Sequence, residues 1–126
     1  IGEIADLARV GSEYDEIFVA IGNNEIRKSL FTKVKNMGCF IPKLIHPTAY
    51  VSPTALIEEG TVVEPKAVIN ANTVVKQGCI ISIGAIVDHN AILEEFCHVN
   101  AGVICCAGSV VESERKTIAG EIVKGY

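Results

Sequence analysis

A mainly β chain, in which a parallel β-helix of about four coils follows a small α/β unit, is the fold this sequence predicts, and three observations carry it. The first is composition: of 126 residues, Ile and Val together supply 32 and Leu only five. β-branched side chains favour extended backbone, so strands dominate. The second is a period of six: from Ile45 through Val111 every sixth residue is aliphatic except Cys105. The third is a companion phase in which Gly60, Asn72, Gly78, Gly84, Asn90, Gly102 and Gly108 recur in step. Gly and Asn accept positive φ at low cost, so this phase is where the chain turns a corner.

Taken in order, residues 1–9 read as a short helix. Glu16–Ile21 is a buried-strand run and Gly22-Asn23-Asn24 a turn. Ile26, Leu30, Val34 and Met37 recur at helical spacing, with Asn24 as N-cap and Gly38 as C-cap. Cys39-Phe40-Ile41 returns as a strand, so residues 1–44 form a partial β-α-β unit. Its turn lacks the GxGxxG spacing of dinucleotide folds.

Residues 45–111 are the β-helix, three hexapeptides closing each triangular coil. The aliphatic phase and a small-residue phase running from Ala49 to Ser109 point inward. A further apolar phase, Leu56 through Val110, points outward, with His98 as its polar exception. Outward apolar rows call for a covering neighbour, so oligomerisation is expected. Residues 112–126, which carry Glu112, Glu114, Arg115 and Lys116, are expected to leave the register as a terminal cap.

A net charge of −4 without a basic run argues against a nucleic-acid partner. No apolar stretch reaches the roughly 18 residues of a spanning helix, and the start, Ile1 rather than Met, lacks a secretory signal pattern. Five cysteines without a CxxC pair suggest reduced thiols, and the expected compartment is the cytoplasm. Cys79 and Cys97 fall in the inward small phase and should stack on successive coils.

Four runs carry a resemblance: Ala20-Ile21-Gly22-Asn23-Asn24-Glu25-Ile26-Arg27, Leu44-Ile45-His46-Pro47-Thr48-Ala49, Val87-Asp88-His89-Asn90 and Phe96-Cys97-His98-Val99. Over residues 17–111 the chain resembles the hexapeptide-repeat acyltransferases, in particular the branch of sialic-acid O-acetyltransferases and UDP-4-amino-sugar N-acetyltransferases. The resemblance implies a left-handed β-helix and a homotrimer, with acetyl-CoA lying along the β-helix where two subunits meet. It also implies a small N-terminal domain for a sugar nucleotide, and acetyl transfer to an amino or hydroxyl group of a sugar or nucleotide sugar without a metal. Members of that branch begin with a strand and glycine-rich turn not found upstream of Ile1, and their coils run past Val111. The chain is therefore expected to be short at both ends.

Acyl transfer from a thioester needs a base for the acceptor and donors for the oxyanion. By the resemblance, His89 is that base, and its place between inward Val87 and the corner projects it outward near an edge. Asn90 stands where the branch has Glu or Asp, and reads either as a partner orienting the ring or as a positive-φ corner. His98, by the resemblance, helps place the acetyl group or acceptor, and otherwise reads as an interface histidine. His46 reads as structural. Gly102 and Gly108 are corner glycines near which a backbone amide meets the acetyl-CoA thioester. Asn23 and Arg27 follow a strand end of the kind where α/β units bind ligands, Arg27 facing a phosphate or simply solvent. Two other functions compete. A shortened β-helix can serve as a non-catalytic assembly or binding module. A γ-carbonic-anhydrase-like metal site is disfavoured by the spacing of His89 and His98.

Overall fold

The computed structural model describes residues 2–126, and Ile1, where the expected short helix begins, lies outside the described residues. A 3-10 turn at Ile4–Asp6 runs into helix α1 (Leu7–Val10) and a second 3-10 turn at Gly11–Glu13. The expected strands of the β-α-β unit shrink to one parallel bridge between Glu16 and Phe40. Ile17 N–H donates to Phe40 O at 3.0 Å, and no described strand pairs with the rest of the Glu16–Ile21 run. Helix α2 (Asn24–Asn36) is capped one residue earlier than expected: Asn23 accepts the Ile26 N–H at 3.0 Å. Gly38, with φ of 77°, closes the far end.

The β-helix is built of two-residue strands in three parallel sheets. One sheet contains β1 (Leu44–Ile45), β4 (Val62–Val63), β7 (Ile80–Ile81) and β10 (His98–Val99). The second contains β2 (Tyr50–Val51), β5 (Val68–Ile69), β8 (Ile86–Val87), β11 (Ile104–Cys105) and β13 (Ile122–Val123). The third contains β3 (Leu56–Ile57), β6 (Val74–Val75), β9 (Ile92–Leu93) and β12 (Val110–Val111). Register advances by one coil per pairing: Ile69 lies against Val87 and Cys105 against Val123. The inward phase is sealed, Ile69, Val75, Ile81, Val87, Leu93 and Val99 all being fully buried.

The expected end of the coils at Val111 is corrected. The six-residue phase continues through Thr117, 3% exposed, to Val123 in β13, which pairs with β11. The charged residues 112–116 occupy turns and outward positions, and Arg115 pairs with Glu121 inside the added coil. Every sixth residue from Gly60 to Gly120 has positive φ, including Lys66, Phe96 and Glu114. Thr48 and Thr54, which open the corner phase, do not. A β-branched residue is poorly suited to that region. Instead Thr48 Oγ1 and Thr54 Oγ1 each accept a backbone N–H from the coil above, at 3.2 and 3.1 Å.

Helix α2 lies along the edge where the third sheet turns into the first. Lys35 pairs with Glu59 and Lys28 with Glu114, and between them Phe31 meets Phe96 edge to face at 5.2 Å. Phe96 holds φ of 57° although 2% exposed. That conformation costs roughly 1–2 kcal/mol for a residue with a Cβ, and aromatic burial offsets it. Gly78 below must stay bare, since a Cβ there would sit 2.3 Å from the Phe96 ring.

Candidate functional site

His89 stands on the edge between β8 and β9, exposed, and its ring makes no hydrogen bond among the described residues. Its backbone, by contrast, is fixed. Asp88 Oδ1 accepts the His89 N–H at 2.7 Å and the Asn70 amide at 3.0 Å, and these two donors hold the Asp88 carboxyl below its usual value. His89 O accepts the Gly108 N–H at 3.0 Å. Asn90 takes the corner, with φ of 58°, and its amide donates to Tyr126 Oη at 3.3 Å rather than to the imidazole.

The turn residue after each outward polar position carries an N–H that the β-ladder does not use, and side chains cap it in two ways. Asn70, Asp88 and Asn100 each accept the N–H of the residue that follows them. Glu58 and Glu64 reach up one coil instead, to Gln77 and Ile83. At Ala107, one coil above His89, both ways fail. Cys106 replaces the Asn or Asp, and Asp88, which stands where Glu58 and Glu64 stand, is a methylene shorter and already serves His89. The Ala107 N–H therefore has no partner among the described residues, and Ala107 stands on the same edge as His89. Those at Glu59, Glu95 and Ser113 are likewise uncapped but lie on the edge that α2 covers, and those at Ala119 and Gly125 belong to the last coil, away from His89. Sequence reading missed Ala107, although Cys106 in a column of capping residues is its visible sign. At the two corner glycines the N–H groups themselves are occupied, Gly108 N–H by His89 O at 3.0 Å and Gly102 N–H by Ile83 O at 3.1 Å, so the free amide near Gly108 is that of Ala107.

His98 lies on the first sheet, across the prism from the His89 edge. Its Nε2 meets Ser82 Oγ at 3.1 Å, and its Nδ1 is buried without a partner. Burial lowers its pKa, nearby Lys116 and Arg27 push the same way, and the Gly22 backbone and Glu64 oppose them. A histidine that resists its proton when folded binds fewer protons than it does unfolded. Its stability term is thus whole above the ordinary value of 6.5 and is lost as pH falls below it. We expect the unfolding free energy to decline from pH 7 to 5 and to decline less in His98→Gln; equal slopes in urea titrations would refute this.

Arg27 corrects the expectation of a phosphate ligand. It is 2% exposed, and its guanidinium is spent on backbone carbonyls and on Asn24. Asn23 stays exposed at the turn as the helix cap, beside the same sheet as His98. The sequence-selected residues thus fall into three groups: His89, Asn90 and Gly108 on one edge, His98, Asn23 and Arg27 around the first sheet, and Gly102 on the remaining edge. No three His, Cys, Asp or Glu side chains among the described residues gather to hold a metal. The interior thiols Cys79 and Cys97 touch at 3.5 Å; that contact and burial push the Cys97 thiol up, and burial raises Cys105 to about 12. Neither is set up as a nucleophile.

No family model matches the sequence. The acetyltransferase domain of PglB from Neisseria gonorrhoeae, in complex with acetyl coenzyme A, is 37% identical with a TM-score of 0.92, covering 97% of this chain and 60% of its own. Perosamine N-acetyltransferase from Caulobacter crescentus, with one histidine replaced and in complex with CoA and GDP-perosamine, is 27% identical with a TM-score of 0.75, over 97% of this chain and 70% of its own. PerB from the same organism, also with CoA and GDP-perosamine, gives 26% and 0.74 over 98% and 72%. The chain thus spans about three fifths of the PglB domain it matches.

Proposed function

This chain has the fold and six-residue register of the hexapeptide-repeat, left-handed β-helix acetyltransferases, and we propose that it transfers acetyl from acetyl-CoA to an amino or hydroxyl group of a sugar or nucleotide sugar. The observation that carries this reading is the pairing of an exposed, unbonded His89 ring with the uncapped Ala107 N–H one coil above.

His89 takes the proton from the acceptor amine or hydroxyl as its nitrogen or oxygen attacks the thioester carbonyl. The carbonyl electron pair moves to oxygen, and the Ala107 N–H donates a hydrogen bond to the resulting oxyanion. On collapse the C–S bond breaks, and the imidazolium returns its proton to the departing thiolate. Donor and acceptor react directly, without an acyl-enzyme.

Assembly supplies the rest. The sheets flanking the His89 edge expose outward rows that include Leu56, Ile86, Ile104 and Val110, each 39–56% exposed, whereas α2 covers the edge between the third and first sheets, with its leading turn beside His98. A homotrimer that seats these rows on neighbouring copies encloses His89 and brings His98 of another copy towards it, which one chain alone cannot do. The five free thiols suit the cytoplasm.

Thiol release from acetyl-CoA, measured with UDP-4-amino sugars and with sialic acid, tests the reading. We expect release that depends on an acceptor. Absence of turnover with every acceptor would leave a non-catalytic binding or assembly module.

A further inference from the structure

We infer that Arg27 is a positioning residue: its buried guanidinium locks the Ile21–Asn23 turn to the coil edge that leads into His98, and so sets the acceptor side of the site. The inference rests on the acetyl-transfer reading above and adds a residue to it.

Arg27 projects from the first turn of α2 into the seam between helix and prism. Nη1 donates to Ile21 O at 3.0 Å and Nε to Gly78 O at 2.7 Å. Nη2 donates to Phe96 O at 2.7 Å and to Asn24 Oδ1 at 2.9 Å, with Cys97 O at 3.4 Å. The acceptors come from three places: the turn, one coil corner, and the corner of the next coil. No carboxylate is among them, so the side chain is not half of an ion pair but a cation distributed over backbone oxygens. Hydrogen bonds from a charged donor are about twice as strong as neutral ones, and here they are dry.

Two of the gripped carbonyls identify what is held. Ile21 O immediately precedes Gly22, and Cys97 O immediately precedes His98. Gly22 and Asn23 form the exposed turn by which the Ile17–Ile21 run enters α2. The Gly22 backbone lies beside His98, close enough to act on its imidazole, and among the described residues no group meets the buried Nδ1 in good hydrogen-bond geometry. The ion pairs of Lys28 and Lys35 also fasten α2, but both are at the surface and neither reaches the turn. Asn24 Nδ2 fastens the start of α2 to Glu114 O at 2.8 Å, and among the described residues Arg27 ties the turn and the His98 strand to one rigid group.

Two variants test this. Arg27→Met keeps the stem and removes every donor; Arg27→Lys keeps the charge with a single head. For Arg27→Met we expect an acceptor KM raised about tenfold and an acetyl-CoA KM within about twofold, with Arg27→Lys recovering to within about threefold of wild type. Backbone amide NMR shifts should move at Gly22, Asn23 and His98 and stay fixed at Ala71 and Asn72. Equal changes in both KM values, unmoved amides at the turn, or shifts spread evenly through the coils would overturn the inference, as would failure of both variants to fold. Should the wild type release no thiol with any acceptor, the acetyl-transfer reading fails, and the amide shifts alone decide whether Arg27 places the turn.

Discussion

Replacing His89 with alanine is expected to lower kcat by about 10²- to 10⁴-fold while leaving the KM for acetyl-CoA within about threefold. The argument begins with what His89 does not do. Its ring is exposed and makes no hydrogen bond among the described residues, and the hydrogen bonds of its residue run through the backbone, from His89 N–H to Asp88 and from Gly108 N–H to His89 O. Alanine keeps all of these. Stability should therefore change by no more than about 0.5 kcal/mol, so a loss of rate cannot be charged to unfolding. An imidazole so placed, free of structural duty on an edge where two apolar faces meet, is available for proton transfer. Thiol release and urea unfolding of the same preparation check both halves. A variant retaining more than a third of the wild-type rate would assign the base to another group.

The sequence exposes some of this design and conceals the rest for definite reasons. Corners are legible where Gly or Asn stands, because positive φ is a demand on residue type. They are hidden at Lys66, Phe96 and Glu114, where neighbours supply the compensation; Phe96, for example, is held by Phe31 and α2. The final coil is present in the phase as Thr117 and Val123, but the charges at 112–116 imitate an end, since a run of charge in a solenoid can sit wholly in turns. The separation of His89 from His98 needs only arithmetic: nine residues are half of an 18-residue coil, which places them on opposite sides. Arg27 gives no such sign. Its partners at Gly78 and Phe96 are carbonyls 51 and 69 residues away, and a carbonyl has no letter in the sequence.

Ala107→Pro should reduce kcat by about 10²- to 10³-fold, the usual cost of removing one oxyanion donor, whereas Ala107→Gly should keep most of the activity. Proline deletes the one uncapped N–H beside His89 and nothing else that the prism uses. The fold already shows that the substitution fits. Pro53 occupies the same column three coils below, and Pro65 the matching turn position on another edge, so the backbone at this point accommodates a pyrrolidine ring without leaving the register. No ladder bond is lost, because the Ala107 N–H makes none. Glycine keeps the N–H and removes only a methyl group, which separates the role of the donor from any effect of the side chain. The loss with proline should fall on kcat, since the oxygen it would hold carries full negative charge only in the transition state. If Ala107→Pro turned over at the wild-type rate while remaining folded by circular dichroism, the oxyanion would have to be held elsewhere, and the capping pattern that singles out Ala107 would have no catalytic meaning.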